Sequence, residues 1–156
     1  MSRVRCSSVV LALTIEALRR GGRIGQERVA LWLAPAAARD PVSILEVYEP
    51  EQEAEFDYFR LPPESMRSLL SHLATTRQRI VAQIHTHPGT AYHSKADAKW
   101  AIVRHLGALS LVLPRFARST TPGNFLSEAK IYECTGDGEW SVCASLGPAA
   151  PLEVIL

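Results

Sequence analysis

The stretch "IVAQIHTHPGTAYHSKADAKW", residues 80–100, decides how this chain is read. A largely apolar run leads straight into three histidines, a serine and an aspartate. In a strand, residues i and i+2 point the same way. His85 and His87 therefore share one face, and Thr86 takes the other. Pro88-Gly89 stops the strand. Ser94 then opens a helix, with Asp97 in its first turn. A helix start folded back beside the strand end brings Asp97 to the two imidazoles. Two nitrogens and one carboxylate oxygen, with one position open, form the donor set of a catalytic zinc site. The open position lets zinc acidify water and polarise a carbonyl.

Each residue also has a plainer reading. A single histidine at a strand end is commonly a packing or surface group. Ser-x-x-Asp before an apolar helix is a capping box, in which the two side chains satisfy backbone donors. It is H-x-H-P followed closely by S-x-x-D that favours a metal. His93 has three readings: a group supporting the ligands, a substrate contact or an ordinary loop residue. A site of this kind needs a proton handler. Glu27 is the first candidate, because it heads the apolar segment "ERVALWLAP" (27–35), where a carboxylate has no packing purpose. Glu16, Glu46 and Glu49 compete with it, and a solvated strand end is the plain alternative.

Working outward, the spacing predicts a helix over 7–20, capped by Ser7 or Ser8, with Leu11, Ile15 and Leu18 on one face and Gly21-Gly22 at its end. Residues 27–35 and 41–50 read as strands joined by a hairpin loop, "AAARD". Residues 54–62 read as an extended segment alternating Phe56 and Tyr58. A helix opens at the prolines of "PPESMRSLLSHLATTRQ", with Met66, Leu69, Leu70 and Leu73 as its stripe. Strand 79–87 carries the histidines. Helix 94–107, strand 108–116 and a loop through 125 follow. "LSEAKIYECTG" and "EWSVCASLG" read as strands joined by a turn, and "PLEVIL" as a last strand. Helices alternate with strands in the middle, and hairpins dominate the ends. That is an α/β fold: a mixed sheet flanked by helices, in a single domain over residues 1–156.

The totals bound the function. Seventeen basic and sixteen acidic residues leave a net charge of +1, which argues against nucleic acid as a bulk partner. Three widely spaced cysteines contain no C-x-x-C pair, so they read as reduced thiols. The N-terminal apolar run is followed at once by Glu16 and two arginines, unlike a signal peptide. No run approaches a membrane span of about 18 apolar residues. The expectation is a cytoplasmic protein with no membrane partner. A zinc deaminase is set aside, because H-x-E and P-C-x-x-C are missing.

His85-Thr86-His87-Pro88, Ser94 and Asp97, with Glu27 upstream, resemble the JAMM motif of the JAB/MPN metalloprotease family. The resemblance covers roughly residues 5–135. Two departures stand out. Ala30 and Ala34 occupy positions where glycines are common, and the interval from His87 to Asp97 is one residue shorter than usual. The short loop, with a histidine before the serine, is similar to the JAB proteins encoded beside E1- and E2-like enzymes in bacterial antiphage (CBASS-type) operons. The resemblance implies a JAB/MPN fold with a cytidine-deaminase-like layer arrangement. It implies a zinc isopeptidase or peptidase acting after the C-terminus of a ubiquitin-like protein or on an E1/E2-conjugated target. His85, His87 and Asp97 would then hold Zn2+, Glu27 would activate water, and Ser94 would support the oxyanion. Segments 49–62 and 115–125 are candidates to line the substrate groove. The alternatives are a JAB peptidase for cysteine-carrier precursors or cell-wall peptides, a DNA-repair-type JAB domain, and a non-catalytic MPN scaffold.

Overall fold

The computed structural model describes residues 3–54, 59–99, 101–136 and 138–155. In it the histidine motif closes a nine-residue strand, Gln78–Thr86. In chain order the elements are β1 (Val4–Ser7), α1 (Ser8–Gly22), β2 (Val29–Pro35), β3 (Val42–Ser43), β4 (Glu46–Tyr48), β5 (Glu53–Ala54) and β6 (Phe59–Arg60). Then come α2 (Pro63–Thr76), β7 (Gln78–Thr86), α3 (Lys95–Lys99), β8 (Leu109–Leu113), a 3-10 turn (Arg115–Ala117), α4 (Phe125–Glu128), β9 (Lys130–Gly136), β10 (Glu139–Cys143) and β11 (Leu152–Ile155).

The main sheet runs β10-β9-β8-β7-β2-β4. Among the described residues, the β7–β8 pair of this sheet is parallel and its other pairs are antiparallel. β2 is buried along nearly its whole length because both faces are covered. Ala30, Trp32 and Ala34 pack in one core with Leu11, Ile15 and Leu18 of α1. Val29, Leu31 and Leu33 pack in another with Leu69, Met66 and Leu73 of α2. The alternation of the strand thus feeds two helices on opposite faces. The two alanines that depart from the glycine pattern are filled core positions beneath α1. Trp32 is satisfied there as well: its indole N–H donates to Thr14 Oγ1 at 2.8 Å.

α1 starts as its cap predicts, with Ser7 Oγ accepting the Val10 amide at 3.2 Å. Gly21 and Gly22 belong to its last turn and serve close approach. A Cβ on Gly22 would stand 2.6 Å from Phe116 Cβ, and one on Gly21 would stand 2.9 Å from Arg28 Cβ.

Other expectations are corrected. Strand 41–50 is two strands in two sheets: β3 pairs with β1, and β4 pairs with β2. β1 escaped the sequence reading. It lies between β11 and β3, parallel to both, and so joins the two ends of the chain. Helix 94–107 shortens to α3. The amides of Ile102 and Val103 instead donate to Gln83 Oε1, at 2.8 and 3.4 Å. The first residues of "LSEAKIYECTG" complete a helical turn before β9 begins. β5, which starts one residue before segment 54–62, pairs antiparallel with β6; Phe56 and Tyr58 lie outside the described residues. Among the described residues, no helix is long and apolar enough to cross a membrane.

Candidate metal centre

The register between β2 and β7 assembles the site. Val29 pairs with His85. Continued two residues past this pair, beyond the ends of both strands, the register sets Glu27 opposite His87, on the same face. Glu27, His85, His87 and Asp97 are all buried. One ligand atom from each lies within 4.8 Å of the others. Asp97 Oδ2 is the hub: it is 3.1 Å from His85 Nε2 and 3.0 Å from His87 Nε2. Glu27 Oε1 stands 4.0 Å from His87 Nε2.

Asp97 is fixed by the start of α3. Its Oδ2 accepts the Ser94 amide at 2.8 Å, and Ser94 Oγ accepts the Asp97 amide at 3.0 Å. This reciprocal pair is a capping box. The capping and metal readings are therefore compatible, since the cap aims the carboxylate at the histidines. Burial alone would raise the Asp97 carboxyl. The hydrogen bonds from His85 and His87, with the Ser94 amide, outweigh it and hold the group well below the usual carboxylate range.

The donor set fits a metal ion. Two imidazole nitrogens and two carboxylates converge in a space sheltered from water, and buried carboxylates call for a compensating cation. The other acids are engaged elsewhere. Glu16 lies near Arg23, Glu46 pairs with His72, and Glu49 pairs with Arg20 and Arg28.

Ser94 lines a cavity of about 470 Å³ together with Glu27, His87, Thr90, Tyr92 and Lys95. Tyr92 stands edge-on to His87, with ring centroids 4.5 Å apart. It belongs to the quoted motif, yet its neighbours gave no reason to single it out. His93 is outside the ligand cluster. Its ring lies 6.3 Å from His85 and packs on Tyr132 and Trp140, at 4.9 and 5.2 Å. Its amide donates to Tyr132 Oη at 3.1 Å. Burial, reinforced by the charge of His85, pushes the His93 imidazole down to about 4. Tyr132 and Trp140 come from β9 and β10, too far along the chain for local spacing to reveal.

Segment 115–125 reaches the site through its first turn. The Phe116 amide donates to the His87 carbonyl at 2.8 Å, and the Arg115 amide to the Gly89 carbonyl at 2.9 Å. Arg115, Phe116 and Ala117 all hold positive φ, a costly backbone for residues with a Cβ. Arg19 braces this turn by donating to the carbonyls of Ala117, Arg118 and Thr120.

No family model matches the chain. Over 133 residues it is 35% identical to the probable metalloprotease y4jG of Sinorhizobium fredii (strain NBRC 101917 / NGR234), a match covering 82% of this chain and 80% of that protein. Its fold is similar to the solution structure of protein DSY2949 from Desulfitobacterium hafniense, with a TM-score of 0.65, 13% identity, and 97% of this chain and 92% of that one covered. It is also similar to the crystal structure of AF2198, a JAB1/MPN domain protein from Archaeoglobus fulgidus, with a TM-score of 0.53, 15% identity and both chains covered in full. These structural likenesses speak for the fold; the sequence likeness speaks for descent. The chain belongs to the metalloprotease family of its rhizobial relative and is built on the JAB1/MPN fold.

Proposed function

We propose that the protein is a zinc-dependent isopeptidase or peptidase. It would cut after the C-terminus of a ubiquitin-like protein, or free a target conjugated by an E1/E2-like system, in the cytoplasm of a bacterium defending itself against phage. The observation that carries the peptidase reading is the buried Glu27, His85, His87 and Asp97 cluster, two of whose members line an open cavity. The modifier and the defence setting rest on the resemblance of the motif loop to JAB proteins of E1/E2-containing operons.

His85, His87 and Asp97 would hold the metal. When bound, zinc supplies Lewis acidity, lowering the pKa of water to about 7 and polarising a carbonyl oxygen. Glu27 takes a proton from the water that attacks the scissile carbon. It returns that proton to the amine as the C–N bond breaks. Ser94 Oγ spends a lone pair on the Asp97 amide, which leaves its own O–H to donate. In this reading that donor faces the developing oxyanion.

The test is a ubiquitin-like protein fused at its C-terminus to a reporter and incubated with zinc-loaded enzyme. Cleavage is expected after the last residue of the modifier, and Glu27→Gln should slow it about 10²- to 10⁴-fold. Equal cleavage of unrelated unfolded peptides would overturn the modifier reading. No cleavage of any peptide by the zinc-loaded wild type would overturn the peptidase reading.

A further inference from the structure

The outer edge of β2 contains a substitution in its ladder. β4 runs antiparallel beside β2 and pairs Leu31 with Tyr48, Trp32 with Val47 and Leu33 with Glu46. Two residues beyond Leu31 and Tyr48, the same register would set Pro50 opposite Val29. Proline has no N–H to give. The Thr86 amide donates to the Arg28 carbonyl at 3.2 Å, so the backbone of Arg28 faces β7. By alternation, that of Val29 faces the other edge. There the side chain of Gln52 does what Pro50 cannot. Its Oε1 accepts the Val29 amide at 2.7 Å, and its Nε2 donates to the carbonyls of Val29 and Pro50, each at 3.0 Å. The carboxamide stands in for the missing peptide unit. Two residues further still, this register brings Glu27 opposite Gln52 itself.

Glu27 lies two residues before β2 begins. The chain entering β2 is steered by the contacts of Arg28 with Thr86 on one side and by Gln52 at Val29 on the other. We propose that Gln52 is a positioning residue for Glu27, extending the β2 ladder by one side chain so that the Glu27 carboxylate is held at the His87 end of the cluster. The inference rests on the reading of Glu27 as the proton-transfer group. Misplacement of a reacting group by about 1 Å can cost about 10²-fold in rate, so a clamp two residues away has leverage.

The experiment compares wild type, Gln52→Met and Gln52→Glu, all zinc-loaded, on the reporter fusion. Methionine keeps the length and loses all three hydrogen bonds; glutamate keeps the acceptor for the Val29 amide. Gln52→Met is expected to lower kcat about 10- to 100-fold with KM and metal content unchanged, and Gln52→Glu to fall between. The Val29 amide should exchange faster in Gln52→Met. Added to Glu27→Gln, Gln52→Met should remove little further rate, because coupled sites are non-additive. Wild-type kcat in Gln52→Met would overturn the proposal, as would a rise in KM with kcat intact or a full further loss in the double variant. A wild type that cleaves nothing sinks the peptidase reading and this inference together. A cleaving wild type matched by Gln52→Met sinks this inference alone.

Discussion

At the scale of the residue, the site is a consequence of parity. Two histidines separated by one residue share a face, and the β2–β7 register, carried two residues past Val29 and His85, adds Glu27 to it. Asp97 arrives from α3 because Ser94 caps that helix and the carboxylate returns the bond. Ser94→Ala should therefore show two effects. The lost cap should lower stability by about 1 kcal/mol, measured by urea denaturation. The lost donor should lower kcat about 10²- to 10³-fold with zinc still bound. His93 supplies a pH prediction for the metal-free protein. Its folded value is lowered to about 4 from about 6.5. The unfolded chain therefore takes up the proton first as pH falls. The stabilising contribution is present above about 6.5 and is lost progressively down to about 4. His93→Phe, which keeps a ring against Tyr132 and Trp140, should flatten the acid slope of stability in that window. The convergence of Glu27, His85, His87 and Asp97 was legible in the sequence because strand parity and a short loop fix their neighbours. The surroundings of His93 were not, because Tyr132 and Trp140 reach it from strands remote in the chain.

At the scale of the element, the readable parts were those with a strong period. α1, α2, β2 and β7 are long enough to display an apolar stripe or run, and each stands where its pattern placed it, within a few residues. β1 and β3 were missed or merged because strands of four and two residues carry no period. Helix 94–107 was overread for a different reason. Its apolar pattern continues, but Gln83 from β7 captures the amides of Ile102 and Val103 that a longer helix would have used. The glycines at the end of α1 make a test of packing. Gly22→Ala places a methyl against the backbone and side chain of Phe116. Overpacking of this kind costs about 1–3 kcal/mol, and the urea midpoint should fall accordingly. The same change pushes on the turn whose amide holds the His87 carbonyl, so zinc affinity should fall with it.

At the scale of the whole molecule, the candidate metal centre gathers residues from the end of β7 and the residue just past it, from α3 and from the segment entering β2. Four acceptor or donor groups from these three places come together only when the chain is folded. Zinc should then bind the native state far better than the unfolded one. Free zinc at about 100 times its Kd should add about 2.7 kcal/mol to stability, read as a rise in Tm that a chelator reverses. The most direct test of the central claim is zinc content by elemental analysis after equilibration and dialysis, for wild type and the double variant His85→Ala/His87→Ala. The site described here predicts one zinc per chain in the wild type and none in the double variant, with the fold retained by circular dichroism. Equal zinc in both proteins, or none in the folded wild type, would contradict it.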